Sequence, residues 1–315
     1  MRRRRLLALL PITFLAVVRC GGGGEQAVVK VSTRPTLEPE TGPNGVSTAT
    51  QVPPPEVLTS TGETVQGGTV RVSVVGQVKE GTVTLYGRTL RLNQGLQSIY
   101  AFVGIAPEDP AGVQELRIDF TLSSGSRGSL TVPITVRETE WTVDSITVGA
   151  NLAALLDPRT QADELQTLTT LYKNGSAEKY WADGWMMPTG GAITTRFGEQ
   201  RSYNGSEVAG HHSGTDLGAP AGTPVGVTNN GKVVLSRQLR LRGNMVVVDH
   251  GGGVFSGYAH MASLAVAEGE RVSAGDTVGF VGSTGLSTGA HLHWEMAAGG
   301  VLVDGVRFTD GTNGF

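Results

Sequence analysis

The sequence predicts a mainly β protein, built as two β units joined by one helix. Three observations carry this. Short runs that alternate apolar and polar residues recur through most of the chain, as in Thr69-Val70-Arg71-Val72-Ser73-Val74. Glycine is abundant, at 46 of 315 residues, and aromatics are few, which suits loop-rich β structure more than a helix bundle. Helical spacing stands out in a single stretch, at about 158–174. The length is enough for about two domains. A net charge of −3 supplies no basic field, which argues against a nucleic-acid partner. One cysteine excludes an internal disulfide and a multi-cysteine metal site.

In chain order, residues 1–20 read as an export signal. Arg2-Arg3-Arg4-Arg5 precedes an apolar run from Leu6 to Val18, broken only by Pro11 and Thr13 and too short to span a membrane comfortably. Cys20, followed by Gly21-Gly22-Gly23-Gly24, resembles a bacterial lipoprotein signal, although Arg19 stands where such signals have a small residue. That resemblance implies a lipid on Cys20, hence a membrane partner and a place in the cell envelope. Residues 21–63 are rich in Gly, Pro, Thr, Ser and Glu and read as a disordered linker. From 64 to 139, alternating runs such as Thr82–Tyr86, Leu116–Leu122 and Ser129–Val136 are separated by turn-forming clusters. They predict a small immunoglobulin-like β-sandwich. It has neither His nor Cys and reads as a spacer or docking module.

Residues 140–187 form a connector. Asp157 suits a helix N-cap and Pro158 the first helical position. Leu165, Leu168 and Leu171 or Tyr172 make an apolar stripe. Lys173 suits the C-terminal dipole, and Asn174-Gly175 ends the helix. The stripe predicts docking on a flanking domain and no chemistry.

The chemistry concentrates after residue 188. All six histidines, 211, 212, 250, 260, 291 and 293, lie in the last third of the chain. Imidazole is the commonest metal ligand and the usual acid/base near neutral pH. In His291-Leu292-His293, a strand would turn both rings to one face and pack Leu292 and Trp294 on the other. By itself that pattern fits a polar strand face as well as a metal site.

Three motifs occur in order: His212-x-Gly214-x-Asp216, Tyr258-Ala259-His260, and Ser287-Thr288-Gly289-Ala290-His291-Leu292-His293. With the intervening Gly222-Thr223-Pro224-Val225 run, residues of about 184–309 resemble the LytM/lysostaphin-type zinc metallopeptidases, peptidase family M23. Departures are Ala290 for the usual Pro, Trp294 for the usual Phe, and Ser256-Gly257 before Tyr258. None removes a side chain that binds metal or moves a proton. The resemblance implies a duplicated-hybrid-motif β-sheet domain at 188–309, ahead of a tail at 310–315. It implies one Zn2+ per chain held by His212, Asp216 and His293, with His260 and His291 catalytic. Two imidazoles and a carboxylate suit zinc and leave a fourth position open. The resemblance also implies an exported endopeptidase whose partners are peptidoglycan peptides.

Among the remaining residues, His211 would point away from His212 in an extended segment and reads as a loop residue. His250 reads as a turn residue at a strand end. Tyr203 sits in the loop before the first ligand, where a phenol could donate to an oxyanion. Arg201 and Asn204 read as loop or groove structure. Two rivals remain: a non-catalytic activator of cell-wall amidases, which some relatives of this fold have become, and a peptidase for other proteins.

Overall fold

A computed structural model describes residues 54–315 apart from Asp183, Ala209 and Gly314. Ahead of these it describes the short strands β1 (Phe14–Val17), β2 (Val29–Ser32) and β3 (Thr36–Leu37). Arg2–Arg5, Cys20 and the rest of the chain before residue 54 lie outside the described residues. Most of the expected signal, the lipid and most of the linker fall there.

The first unit comprises β4 (Glu56–Thr59), β5 (Glu63–Val65), β6 (Thr69–Val75), β7 (Val78–Leu85), β8 (Arg88–Arg91), β9 (Asn93–Gln94), β10 (Ser98–Gly104), β11 (Gly112–Leu122) and β12 (Arg127–Arg137). Two sheets form. One runs β1-β2-β4-β6-β10-β9; the other runs β3-β12-β11-β7-β8, with β5 beside β12. The period-two pattern explains their pairing as a sandwich. Val70, Val72 and Val74 on β6 and Ile99, Ala101 and Val103 on β10 meet Leu116, Ile118 and Phe120 on β11 and Leu130, Val132, Ile134 and Val136 on β12 in one core. The sandwich starts earlier than residue 64. β4 pairs antiparallel with β6, and its Val57 is fully buried. The expected disordered linker at 21–63 is therefore interrupted: β4 begins at Glu56, and β2 and β3 pair into the two sheets.

After β13 (Val143–Ile146) and a short helix α1 (Ala150–Ala153), helix α2 spans Pro158–Lys173. The Asp157 carboxylate accepts from Thr160 N at 2.9 Å, as an N-cap should. The buried face differs from the expected stripe. Thr160, Glu164, Leu168 and Tyr172, spaced at i+4, face inward, whereas Leu165 is 51% exposed. Leu168 and Tyr172 pack with Leu235, Met245, Val247, Phe255 and Ala259, so the helix docks on the C-terminal sheet.

That sheet is built from β14 (Ala192–Thr195), β15 (Gln200–Tyr203), β16 (Thr215–Gly218), β17 (Pro224–Gly226), β18 (Gly231–Gln238), β19 (Asn244–Gly251), β20 (Val254–Met261), β21 (Ser263–Leu264), β22 (Arg271–Val272), β23 (Thr277–Phe280), β24 (Leu292–Ala298) and β25 (Val301–Val303), before helix α3 (Val306–Thr309). Its main sheet runs β14-β16-β24-β20-β19-β18-β22, with β25 on β24, and β17-β23-β21 forms a second, three-stranded sheet. β15 pairs with β13 in parallel. Leu292, Trp294 and Met296 of β24 enter the core with Leu217, Val246, Val248 and Tyr258, leaving the opposite face of β24 for His293.

The two β units are stitched together. Phe102 of the sandwich packs edge-on against Trp181 and Phe315, and Asp304 N donates to Gly67 O at 2.8 Å. Asn313 and Phe315 of the expected tail are part of this seam: Ser60 Oγ donates to Asn313 O at 3.0 Å and Thr69 N to Asn313 Oδ1 at 3.1 Å. The expected tail is anchored because Asn313 satisfies sandwich groups that the seam buries.

Candidate metal centre

Three neighbouring strands carry the site. β24 lies between β16 and β20, and the register sets Asp216 opposite His293. His212 approaches β16 in extended chain, its N–H donating to Glu199 O at 2.7 Å. His260 is the last residue but one of β20, with φ of +61°. That is a costly backbone for a residue other than glycine, and such strain concentrates at functional positions. His291 stands just before β24, in a bridge with Gly282. Gly214 is required by close approach: a Cβ there would lie 2.4 Å from Trp294 O and 2.9 Å from His293 Cε1.

His212 Nε2, Asp216 Oδ1 and His293 Nδ1 converge. Their separations are 3.1 Å (His212 to Asp216), 2.8 Å (His293 to Asp216) and 3.0 Å (His212 to His293). The neighbours fix the tautomers. A carbonyl oxygen only accepts, so Nδ1 of His212, 2.9 Å from Arg196 O, carries the ring hydrogen and Nε2 turns a lone pair inward. His293 is reversed. Its Nε2 donates to Glu295 Oε1 at 3.1 Å, with Ser213 Oγ at 3.3 Å, and Nδ1 faces the cluster. Two lone pairs and a carboxylate this close repel one another unless a cation lies among them. Tetrahedral donors at about 2.0–2.2 Å from zinc stand about 3.3–3.6 Å apart, so the observed 2.8–3.1 Å spacing needs to open by less than about 1 Å. The residues fit a metal ion.

Two further imidazoles face the same point. His291 Nδ1 donates to Gly289 O at 2.9 Å, and its Nε2 lies 3.7 Å from Asp216 Oδ1. His260 Nδ1 donates to Thr284 O at 2.8 Å, and its ring lies 4.9 Å from that of His291. All five residues singled out from the motifs are therefore brought together.

Burial governs the electrostatics. It lowers His212 to about 4; it also lowers His260 to about 3, helped by the neighbouring His293 and His291. Burial works to raise the Asp216 carboxyl, but the close polar contacts with His212 and His293 outweigh it and hold Asp216 well below the usual range. His293 is raised: burial opposes this, and the carboxylates of Asp216 and Glu295 on either side, which favour the protonated ring, overcome it. Away from the cluster, burial also lowers His250 to about 4.

A stability profile follows. His212, His250 and His260 fall below their ordinary 6.5, so each contributes fully above that pH and is lost as pH falls through its folded value. His293, shifted the other way, contributes below 6.5 and loses its share as pH rises through its own value. Below 6.5 the share of His293 is already fully present, so the other three set the slope. Metal-free protein is expected to lose melting temperature as pH falls from 6.5 toward about 4. Thermal denaturation across that window checks it, and a flat profile would contradict it.

The groups that orient the three candidate donors have no counterpart among the residues singled out from the sequence. Glu295 Oε1 accepts from Arg242 Nη2 at 2.7 Å and from Ser213 Oγ at 2.9 Å. The carboxylate is held below its usual range because Arg242 and His293 outweigh the effect of burial. Arg201 is more than loop structure: it reaches Asp216 Oδ2 at 3.4 Å and Asp144 Oδ2 at 3.1 Å. His211 turns away, as an adjacent side chain should, with Nδ1 donating to Gly198 O at 2.7 Å and its ring against Trp141. His250 is not a turn residue. It is fully buried, with Nδ1 on Asn230 O and Nε2 on Ser256 Oγ, both at 2.8 Å. Tyr203 ends β15, and burial raises its phenol. Asn204 braces the connector, accepting from Val148 N at 2.8 Å.

Comparison with known proteins agrees with this geometry. The peptidoglycan DD-endopeptidase ShyA of Vibrio cholerae is 33% identical over 135 residues, 43% of this chain and 31% of ShyA. The murein hydrolase activator NlpD of Salmonella dublin is 30% identical over 145 residues, 45% of this chain and 36% of NlpD. The match thus spans about a third of the length of these relatives. A crystal structure of an M23 protein from Pseudomonas aeruginosa shares the fold, with a TM-score of 0.57 and 24% identity over 78% of this chain and 94% of that one. The model of peptidase family M23 matches residues 210–305, which span every histidine and the aspartate of the cluster: this chain carries a peptidase family M23 domain.

Proposed function

We propose that the chain is an exported zinc endopeptidase that hydrolyses peptide bonds in the stem or cross-bridge peptides of peptidoglycan. The unit at 188–309 would do the chemistry, and the sandwich would serve as its docking module. One observation carries the reading: three metal-fit donor atoms converge beside two imidazoles that are held by main-chain carbonyls and take no part in the donor triangle. His212, Asp216 and His293 would hold the ion. Zinc, when bound, would lower the pKa of a water molecule and polarise the scissile carbonyl.

The chain's own residues would supply the proton transfers. His260 and His291 each keep a hydrogen on Nδ1, so each has a free Nε2 lone pair. A neutral ring so held is fit to take the proton of the attacking water. Once protonated, it is a donor for the oxyanion or for the leaving amine. The similarity to the peptidoglycan DD-endopeptidase ShyA supports a peptidoglycan substrate. The basic start and apolar run support export to the cell envelope, where that substrate lies.

The match to NlpD favours a second reading, activation of a cell-wall amidase without hydrolysis by this chain. Retention of His212, Asp216, His293, His260 and His291 in one cluster weighs against it. Mass analysis of digested peptidoglycan, with and without chelator, separates these readings. The proposal predicts new peptide termini within the stem or cross-bridge, lost on chelation and restored by zinc. Products that arise only when an amidase is added, whatever the chelator, would support the activator. Cleavage of a Gly-rich protein but not of muropeptides would indicate a general peptidase.

A further inference from the structure

Helix α2 lies outside residues 210–305, and its sequence reads as packing alone, yet two of its buried residues, Glu164 and Tyr172, make polar contacts with the C-terminal unit. Tyr172 OH donates to Glu295 Oε2 at 2.8 Å. The other oxygen of that carboxylate, Oε1, receives His293 Nε2. Glu164, two turns before Tyr172, receives Leu241 N at 2.8 Å, and Arg242 N and Nη1 each at 3.1 Å. Arg242 in turn donates through Nε and Nη2 to Glu295 Oε1, at 2.9 and 2.7 Å. The carbonyl of Arg242 accepts from His260 N at 2.8 Å.

From this network we infer that α2 is a structural part of the catalytic centre, with Tyr172 and Glu164 as positioning residues. The inference rests on the proposed role of His293 as a metal ligand and His260 as a catalytic group. Tyr172 acts on the metal side. Glu295 receives the guanidinium, the imidazole and the Ser213 hydroxyl on Oε1, and the phenol supplies the partner of Oε2. A carboxylate fixed at both oxygens holds the His293 ring in the tautomer and orientation that present Nδ1 to the ion. Glu164 acts on the acid/base side. It clamps the backbone of residues 241 and 242, and that backbone receives the N–H of His260, whose φ of +61° needs a firm partner to persist. Burial makes both contacts consequential, since a buried polar group stripped of its partner bears its full desolvation cost.

The test uses the full chain and three variants. Tyr172→Phe removes one hydroxyl and keeps the ring. It is expected to weaken zinc binding roughly tenfold in chelator competition and to shift the visible spectrum of the cobalt-substituted protein. Glu164→Gln keeps the shape but leaves one acceptor oxygen for three donors. It is expected to lower kcat roughly tenfold or more, with KM and zinc affinity near wild type. Leu168→Ala, on the same buried face of α2 but with no polar partner, is the control for helix docking. It should lower melting temperature and leave zinc affinity and the cobalt spectrum unchanged. Wild-type zinc affinity and spectrum in Tyr172→Phe would overturn the metal-side role, and wild-type kcat in Glu164→Gln the acid/base-side role. A zinc affinity that falls equally in Leu168→Ala would reduce both to helix docking. If wild-type protein binds no zinc at all, the proposed function fails and this inference with it. Wild type that binds zinc beside an unaffected Tyr172→Phe sinks only the role of the helix.

Discussion

His293→Ala is expected to lose metal and peptide cleavage together, with kcat/KM falling about 10³-fold or more, since the ion's share of transition-state stabilisation amounts to several kcal/mol. His293 is the hub of the centre. Nδ1 meets Asp216 Oδ1 at 2.8 Å and His212 Nε2 at 3.0 Å, while Nε2 meets Glu295. Removing the ring takes one of three donors from the ion. It also deprives the buried Glu295 carboxylate of a partner. Metal analysis after dialysis, run beside a cleavage assay, checks both losses. A variant that kept one zinc per chain would remove His293 from the ligand set.

His291→Ala is expected to behave differently: zinc retained, KM little changed and kcat down about 10²–10⁴-fold, the usual worth of a positioned acid/base. The geometry explains the contrast. His291 Nε2 is 3.7 Å from Asp216 Oδ1, farther than either proposed ligand nitrogen. Its side chain is 18% exposed, more open than that of His212 or His293, as suits a group that must meet substrate. Turnover near that of wild type would show that His291 moves no essential proton.

What the sequence made legible, it did through periodicity and motif. Leu292 and Trp294 enter the core because strand residues alternate, and the same alternation turns His291 and His293 toward Asp216. Glu295 continues that alternation, two residues beyond His293, so the signal for its role was present in His291-Leu292-His293-Trp294-Glu295. Arg242, Glu164 and Tyr172 left no comparable signal. They lie on a loop and a helix brought to β24 only by tertiary packing, and no local pattern encodes that meeting. The carbonyls of Arg196, Thr284 and Gly289, which set three tautomers, have no sequence signature because every residue carries a carbonyl. His250 misled for a related reason. Its position before three glycines resembles a turn, yet Asn230 O and Ser256 Oγ allow it to be buried.

Anomalous diffraction at the zinc edge, from crystals of zinc-loaded protein, addresses the centre most directly. The account predicts one strong peak per chain, bonded to His212 Nε2, Asp216 Oδ1 and His293 Nδ1 at about 2.0–2.2 Å, with a fourth position open. A peak bonded elsewhere, or no peak among these three side chains, would contradict it.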